Sequence, residues 1–147
     1  LFEGKRFILT PSDATPLKVT QRLQLLWEAL GSNVTVMNAA QHDQIFAAVS
    51  HLPHLIAYAS IQAIIGSDQE EVLRFSGAGL KDFSRIASSS PEMWTDIFLE
   101  NKEHLLPRLR HLKELLGQLD DHLEHANREK LQQFLQQAKF ARDQWIG

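Results

Sequence analysis

The 147-residue sequence contains no cysteine, and this absence excludes several kinds of protein at once. Without a thiol the chain cannot form a disulfide scaffold, a thiolate metal site or a cysteine nucleophile. Such a composition fits a reducing compartment, so we expect a cytoplasmic location.

Long apolar runs are also absent. No stretch approaches the roughly 20 apolar residues of a membrane-spanning helix, and no basic segment followed by an apolar one opens the chain. We therefore predict neither a membrane span nor a signal peptide. The first residue is Leu1 and not Met, so we expect a piece of a longer protein or a processed product.

Neither sign of charge is in large excess. Lys and Arg number 15 against 18 Asp and Glu, a net charge of −3. A weakly acidic chain argues against a general nucleic-acid or membrane-surface binder. Hydrophobic residues at 44% and charged residues at 22% are near globular averages, which excludes wholesale disorder.

The start of the chain has a strand–helix–strand pattern. Residues 7–9 form a short apolar run, Thr15-Pro16 is typical of a helix start, and Gly31 of a helix end. Residues 33–37 are again β-rich. This order suits the tail end of an α/β domain, which we place at residues 1–37.

From residue 38 onward the pattern is helical, so the predicted fold is mainly α. Residues 39–50 predict one helix, and residues 52–65 are apolar on nearly every face, which predicts a helix buried on all sides. Gly66 should end it, and Ser67–Glu70 has the spacing of a capping box that opens another short helix.

Further helices follow along the chain. Residues 80–87 predict one helix, and Ser90-Pro91 begins a longer one that Pro107 should kink or interrupt. A heptad seam then predicts helices that pair within the chain or between chains; its members are Leu105, Leu109, Leu112, Leu116, Leu119, Leu123 and Ala126.

The first candidate site is Ser50-His51-Leu52-Pro53-His54. Residues three apart share a helix face, so the two imidazoles should lie near each other. A metal site would need further ligands, and none stands at a supportive spacing. The remaining interpretations are capping or core histidines and polar groups that line a cleft.

The second candidate is the segment from Gly77 to Arg85. Lys81 and Arg85 are four apart in the predicted first turns of a helix, after the small residues Gly77 and Gly79. Two cations there can form an anion site together with free backbone N–H groups. Alternatively Asp82 neutralises them, or they are ordinary solvated surface.

The third candidate is Trp94, which either roofs a ligand pocket or lies in the core. His122 and His125 stand in a charged stretch of the heptad helix and are interpreted as solvated.

Three segments resemble the prephenate dehydrogenase family, which includes arogenate and cyclohexadienyl dehydrogenases. They are LFEGKRFILTP at the start, SHLPHLIAYA at 50–59 and GAGLKDFSRIASSSPEMWTDIFLENKE at 77–103. The resemblance runs from Leu1 to about residue 103.

This resemblance implies a nucleotide-binding Rossmann domain that precedes an all-helical substrate-binding and dimerisation domain, here residues 38–147. The glycine-rich loop for NAD or NADP and the catalytic histidine belong to the preceding domain, so this chain alone should hold no catalytic residue and be inactive. The implied reaction is oxidative decarboxylation of prephenate to 4-hydroxyphenylpyruvate in tyrosine biosynthesis, with prephenate or arogenate as substrate, tyrosine as a possible inhibitor and a homodimer as the assembly.

The resemblance also implies roles for single residues. Arg85 is the main carboxylate clamp, His54 binds substrate with Ser50 and His51 beside it, and Lys81 adds charge at the mouth of the cleft. Trp94 lies near the substrate.

Three further residues support the implied site. Asp82 holds Lys81 or Arg85, within the chain or across the dimer, and Gly77 and Gly79 form the turn. Ala78 departs from the family pattern, where Gly is common.

Two hypotheses of another class remain open. In the first hypothesis the chain is a helical dimerisation module, and in the second it is a tyrosine-sensing regulatory module. In neither does it have catalysis of its own.

Overall fold

The computed structural model describes residues 1–65 and 73–146, and within them the chain is mainly helical, as predicted. It divides into two compact units, residues 1–105 and 106–147. The strand–helix–strand start therefore lies in the same compact unit as the helices up to Leu105. The boundary after residue 37 stays a prediction about a longer protein.

The first unit opens with strand β1 (Arg6–Leu9), helix α1 (Leu17–Ala29) and strand β2 (Asn33–Val36). The strands pair in parallel, with Arg6 opposite Asn33. Parallel neighbours need a crossover connection, and α1 is that connection, so the predicted strand–helix–strand order is confirmed.

Both ends of α1 follow local signals. Gly31 has a φ of +88° just beyond the helix, in the region that favours glycine. At the other end the helix starts one residue later than predicted. Pro16 is the capping residue, and the Thr15 hydroxyl accepts from the backbone N–H of Ser12 at 3.1 Å.

The remaining helices of the described residues are α2 (Ala39–Phe46), α3 (Leu52–Ile64), α4 (Ala78–Ser84), α5 (Pro91–Glu100), α6 (Lys102–Glu124) and α7 (Arg128–Ile146). A π-helical turn (Ala47–His51) joins α2 to α3, and the Leu52 N–H donates to the Ala47 carbonyl across it. A 3₁₀ turn (Arg85–Ser88) follows α4. None of the described helices has the length and apolar character needed to cross a membrane.

Helix α3 is less buried than its sequence predicts. Ala57 is buried, but Ala59, Gln62 and Ala63 are exposed and the rest is half-buried. The prediction of burial on all sides is therefore wrong for this single chain, since an apolar sequence dictates a preference for burial and not the neighbour that provides it.

The prediction that Pro107 interrupts the helix is also wrong, whereas a kink at this residue stays a prediction. The helix break lies at Asn101, between α5 and α6, and α6 continues through Pro107. Pro107 is exposed, and its missing N–H removes one backbone bond, to the Glu103 carbonyl, from a helix of 23 residues. Gly66 and the capping box at Ser67–Glu70 lie outside the described residues.

The second unit contains most of α6 and all of α7. The Asn127 N–H donates to the His122 carbonyl at 2.8 Å and the Ala126 N–H to the Leu123 carbonyl at 3.1 Å. These two bonds define a Schellman ending, in which the left-handed position is usually glycine. Here that position is Ala126, with a φ of 47°.

We expect Ala126→Gly to stabilise the protein by about 0.5–1 kcal/mol, because glycine removes the steric cost of the left-handed backbone. Urea unfolding measures the change. Ala138→Gly is the matched control, since Ala138 is an exposed residue inside α7 and glycine there should destabilise by about 1 kcal/mol. Equal effects of the two variants would contradict the assignment.

Candidate functional site

Trp94 lies at the centre of a cluster of aromatic rings in the first unit. It is carried by α5 and is 7% exposed. The helix begins as predicted, with Pro91 in its first turn and the Ser90 hydroxyl accepting from the Met93 N–H at 3.3 Å. The cap and the proline together determine where Trp94 sits on the helix.

Both histidines of the first candidate motif contact the Trp94 indole. The His54 ring stacks on it with centroids 3.6 Å apart and an interplanar angle of 21°. The His51 ring meets it edge-on at 6.1 Å and 77°. The three side chains, which we call the imidazole–indole cluster, bring together residues of α3, the π turn and α5.

His54 makes a hydrogen bond that sets its protonation pattern. Its Nδ1 is 2.8 Å from the carbonyl oxygen of Ser50, so Nδ1 carries a proton and donates. Pro53 has no backbone N–H, so this turn of the helix has one backbone hydrogen-bond donor fewer. Ser50 thus takes part through its backbone, and Nε2 of a neutral His54 is an acceptor.

His51 is buried, whereas His54 is half-buried. His51 is 9% exposed, and its Nδ1 lies 3.0 Å from the side-chain nitrogen of Asn101. Burial lowers the pKa of His51, the nearby His42 and His54 lower it further, and Asp43 partly opposes them. The ring is therefore neutral near pH 7.

Tyr58 connects the cationic segment to α3. Its hydroxyl donates to the Ser89 carbonyl at 2.7 Å, just after the 3₁₀ turn. Helix α4 and the 3₁₀ turn both pack against α3. The segment with Lys81 and Arg85 is therefore attached to the helix that carries His54.

Arg85 does not lie where the sequence predicts. It is the first residue of the 3₁₀ turn, beyond the end of α4, and only Lys81 lies in the helix itself. The prediction that both cations occupy the first turns of one helix is wrong for Arg85. A cation at a helix C-terminus is favoured by the dipole instead of opposed by it.

Arg85, Lys81 and Asp82 are all exposed. Within residues 1–65 and 73–146, Asp82 pairs with neither cation, so its holding role stays a prediction. A Cβ added at Gly77 or Gly79 would meet nothing within 4 Å among the described residues. The described residues therefore place no packing constraint on either glycine. Gly77 precedes α4 and Gly79 lies inside it, so the prediction that both glycines form a turn is wrong for Gly79.

Three residues of the site were not identified from the sequence: Asn101, Asp43 and Tyr58. Asn101 stands where α5 ends and α6 begins, and asparagine is common at helix starts. That signal predicts a cap and not a contact with His51. His42, which hydrogen-bonds Asp43 at 3.0 Å, stacks on Phe46.

The indole N–H of Trp94 is buried and has no hydrogen-bond partner among the described residues. A buried donor without a partner is costly. Over the same ranges no three His, Asp or Glu side chains are placed to hold a metal ion. In the second unit the His125 side chain is 67% exposed, and its Nδ1 lies 3.0 Å from the Asp121 carbonyl. The His122 side chain is only 13% exposed, so the interpretation as solvated is wrong for His122.

These features define a mainly helical domain with a short parallel strand–helix–strand segment before it. The family described as prephenate dehydrogenase, dimerization domain, matches residues 38–137. The chain therefore belongs to the prephenate dehydrogenase family, and the resemblance stated from the sequence is confirmed.

Individual relatives agree with this assignment. A cyclohexadienyl dehydrogenase of Zymomonas mobilis is 39% identical over 114 residues, which is 76% of this chain. The crystal structure of an Aquifex aeolicus prephenate dehydrogenase in complex with hydroxyphenyl propionate and NAD⁺ is 38% identical, with a TM-score of 0.84 over 97% of this chain. A Synechocystis arogenate dehydrogenase is 30% identical, with a TM-score of 0.82 over 99% of this chain.

The chain is shorter than each of these relatives. It spans 39% of the Zymomonas enzyme, 50% of the Aquifex chain and 54% of the Synechocystis chain.

The lowered pKa of His51 makes stability pH-dependent. An unfolded histidine takes up a proton near pH 6.5, and the folded His51 does so only at lower pH. The contribution of His51 to the free energy of unfolding is therefore fully present above about pH 6.5. It is lost as the pH falls, because the unfolded chain then binds more protons than the folded one. We expect His51→Gln to reduce the loss of unfolding free energy between about pH 7.5 and about pH 5.5. Urea unfolding at both values measures it, and identical losses in the two proteins would contradict the prediction.

Proposed function

We propose that this chain is the substrate-binding and dimerisation part of a dehydrogenase that oxidatively decarboxylates prephenate or arogenate with NAD or NADP. The observation that carries the proposal is the imidazole–indole cluster, which lies inside the family match, with His54 on the helix that packs against the turn bearing Arg85. The organisation into residues 1–37 and 38–147 and a cytoplasmic location belong to the same proposal.

The charges of the site suit an acid. Prephenate carries two carboxylates, and the guanidinium of Arg85 is exposed and without an ion pair among the described residues. A planar guanidinium binds a carboxylate through two parallel hydrogen bonds. Lys81, one turn earlier on the exposed surface, adds a second positive charge.

The cluster supplies hydrogen-bonding groups for the rest of the ligand. His51 and His54 each keep Nε2 free of hydrogen bonds to the described residues. The Aquifex relative was solved with hydroxyphenyl propionate, an aromatic carboxylate. That ligand supports a ring acid as the class of molecule that this site takes.

The connection between β1 and α1 lacks the sequence features that hold the pyrophosphate of a nicotinamide cofactor. A pyrophosphate is held by a glycine-rich turn between a strand and a helix. The connection from β1 to α1, residues 10–16, contains two prolines and no glycine. We therefore assign cofactor binding, the catalytic histidine and turnover to a part of the longer enzyme outside these 147 residues.

A second copy of the chain is the proposed partner. Leu116 and Leu123 of the heptad seam are 53% and 64% exposed. The family model that matches the chain describes a dimerization domain. Exposed apolar side chains in a helical stripe are stabilised by burial against another helix. Inhibition by tyrosine remains an expectation from the family resemblance.

In the full-length enzyme, Arg85→Ala should raise KM for prephenate and lower kcat/KM about thirty- to a thousandfold. The reason is the loss of charge-assisted hydrogen bonds worth about 2–4 kcal/mol. Steady-state kinetics measure both constants. Arg85→Lys should recover only part of the loss, because an ammonium cannot form the bidentate pair.

Arg142→Ala is the control for Arg85→Ala. Arg142 lies in α7 with its guanidinium 5.0 Å from the Trp145 ring, and its loss should leave KM unchanged. An unchanged KM in Arg85→Ala would remove Arg85 from the site and favour the helical interaction module. Competition between tyrosine and prephenate at one site would separate simple inhibition from a sensing role.

Leu116→Glu should shift the protein from dimer toward monomer, because a carboxylate cannot be buried against an apolar partner without a large cost. Sedimentation at micromolar concentration measures the shift. Gln118→Glu adds the same charge on an exposed position of α6 and should remain dimeric. A monomeric unmodified protein would contradict the proposed assembly.

A further inference from the structure

Asn101 occupies a position where asparagine normally caps a helix. It closes α5, and its carbonyl accepts from the Leu105 N–H at 3.0 Å in the first turn of α6. Asn38 and Asn127 stand at the starts of α2 and α7, and each accepts a backbone N–H with its side-chain oxygen, at 2.7 and 3.1 Å. Among the described residues, no backbone N–H donates to the side-chain oxygen of Asn101.

The Asn101 side chain is turned inward instead. Its Nδ2 lies 2.8 Å from the backbone carbonyl of Asp43 and 3.0 Å from Nδ1 of His51. Asn101 and His51 are 8% and 9% exposed. The side chain of Asn101 therefore bonds these two partners and does not cap α6. In this way the buried amide connects α2, the π turn and the start of α6.

The chemistry of these contacts assigns the protons. A backbone carbonyl can only accept, so the group of Asn101 that faces Asp43 must be the NH₂ and not the oxygen. That nitrogen has two hydrogens, one for each partner. Nδ1 of His51 is therefore an acceptor, and the proton of the neutral ring is on Nε2.

We infer that Asn101 is a positioning residue that holds His51 as the Nε2–H tautomer, with this N–H available to an acceptor oxygen of the bound acid. The inference rests on the proposed function for the identity of the ligand, but the tautomer follows from the contacts of this chain alone. The lowered pKa of His51 agrees with a neutral ring.

The two imidazoles on Trp94 are thus complementary. His54 donates through Nδ1 to the Ser50 carbonyl, whereas His51 accepts at Nδ1 from Asn101. When both rings are neutral, one presents an Nε2–H donor and the other an Nε2 lone pair. A pair with equal tautomers would present two donors or two acceptors instead.

The tautomer is measured by nitrogen NMR of the full-length protein with ¹⁵N-labelled histidine, at about pH 8, where free imidazole is neutral. The His51 signal is identified by its loss in His51→Gln. We expect the protonated nitrogen to be Nε2 in His51 and Nδ1 in His54. A proton on Nδ1 of His51 in the unmodified protein overturns the inference without need of any Asn101 variant.

Two variants then test the cause. Asn101→Asp replaces the donor by an acceptor and should move the His51 proton to Nδ1. Asn101→Leu removes the donor and should leave a mixture of tautomers. An unchanged His51 signal in a folded Asn101→Leu protein would show that Asn101 does not hold the tautomer.

Kinetics with prephenate test the role. Loss of the His51 donor should raise KM roughly tenfold to a hundredfold in Asn101→Asp, with a smaller effect on kcat. Asn127→Asp, which makes the same change at a capping position, should alter neither the His51 signal nor KM. If Arg85→Ala raises KM while Asn101→Asp switches the tautomer without changing KM, the ligand role of His51 is wrong. If the tautomer switches and neither variant changes KM, the proposed function fails and the tautomer assignment stands.

Discussion

Buried polar groups need partners inside the chain, and this requirement fixes the helix ends that meet at Asn101 and His51. The carbonyl of Asp43, the ring nitrogen of His51 and the amide of Asn101 meet where water has little access. Each unmade bond would cost about 1–3 kcal/mol there. The NH₂ group of Asn101 has two hydrogens, one for each of these two acceptors. Its arrangement therefore affects the local packing and, in the proposed site, decides which nitrogen of His51 carries the proton.

Two irregularities of the helices make this arrangement possible. The π turn ends at His51 and α3 starts at the next residue, so the two histidines belong to different helical geometries and still contact one indole. The break at Asn101 frees its side chain to point inward. π-helical turns are often found at functional sites, and here the turn carries one of the two imidazoles.

Much of the fold could be predicted because its signals act within one helical turn. Gly31 ends α1 through its backbone conformation, and the Ser90 cap with Pro91 starts α5. The family resemblance rests on long local motifs and was equally accessible. The errors concern α3, Arg85 and Pro107, where the result depends on what packs nearby or on a change of helix type. No local pattern shows that α4 ends at Ser84 and that a 3₁₀ turn begins at Arg85.

The sequence by itself determined the helical class, the order of the elements and the residue types of the proposed acid-binding site. Only the tertiary structure decided which atoms of those residues are free to act. Asn101 is 50 residues from His51 along the chain, and the proton position of a neutral imidazole is set by the partner at its other nitrogen. That partner is known only once the chain has folded, because hydrogen bonds depend on distance and direction and not on separation in sequence.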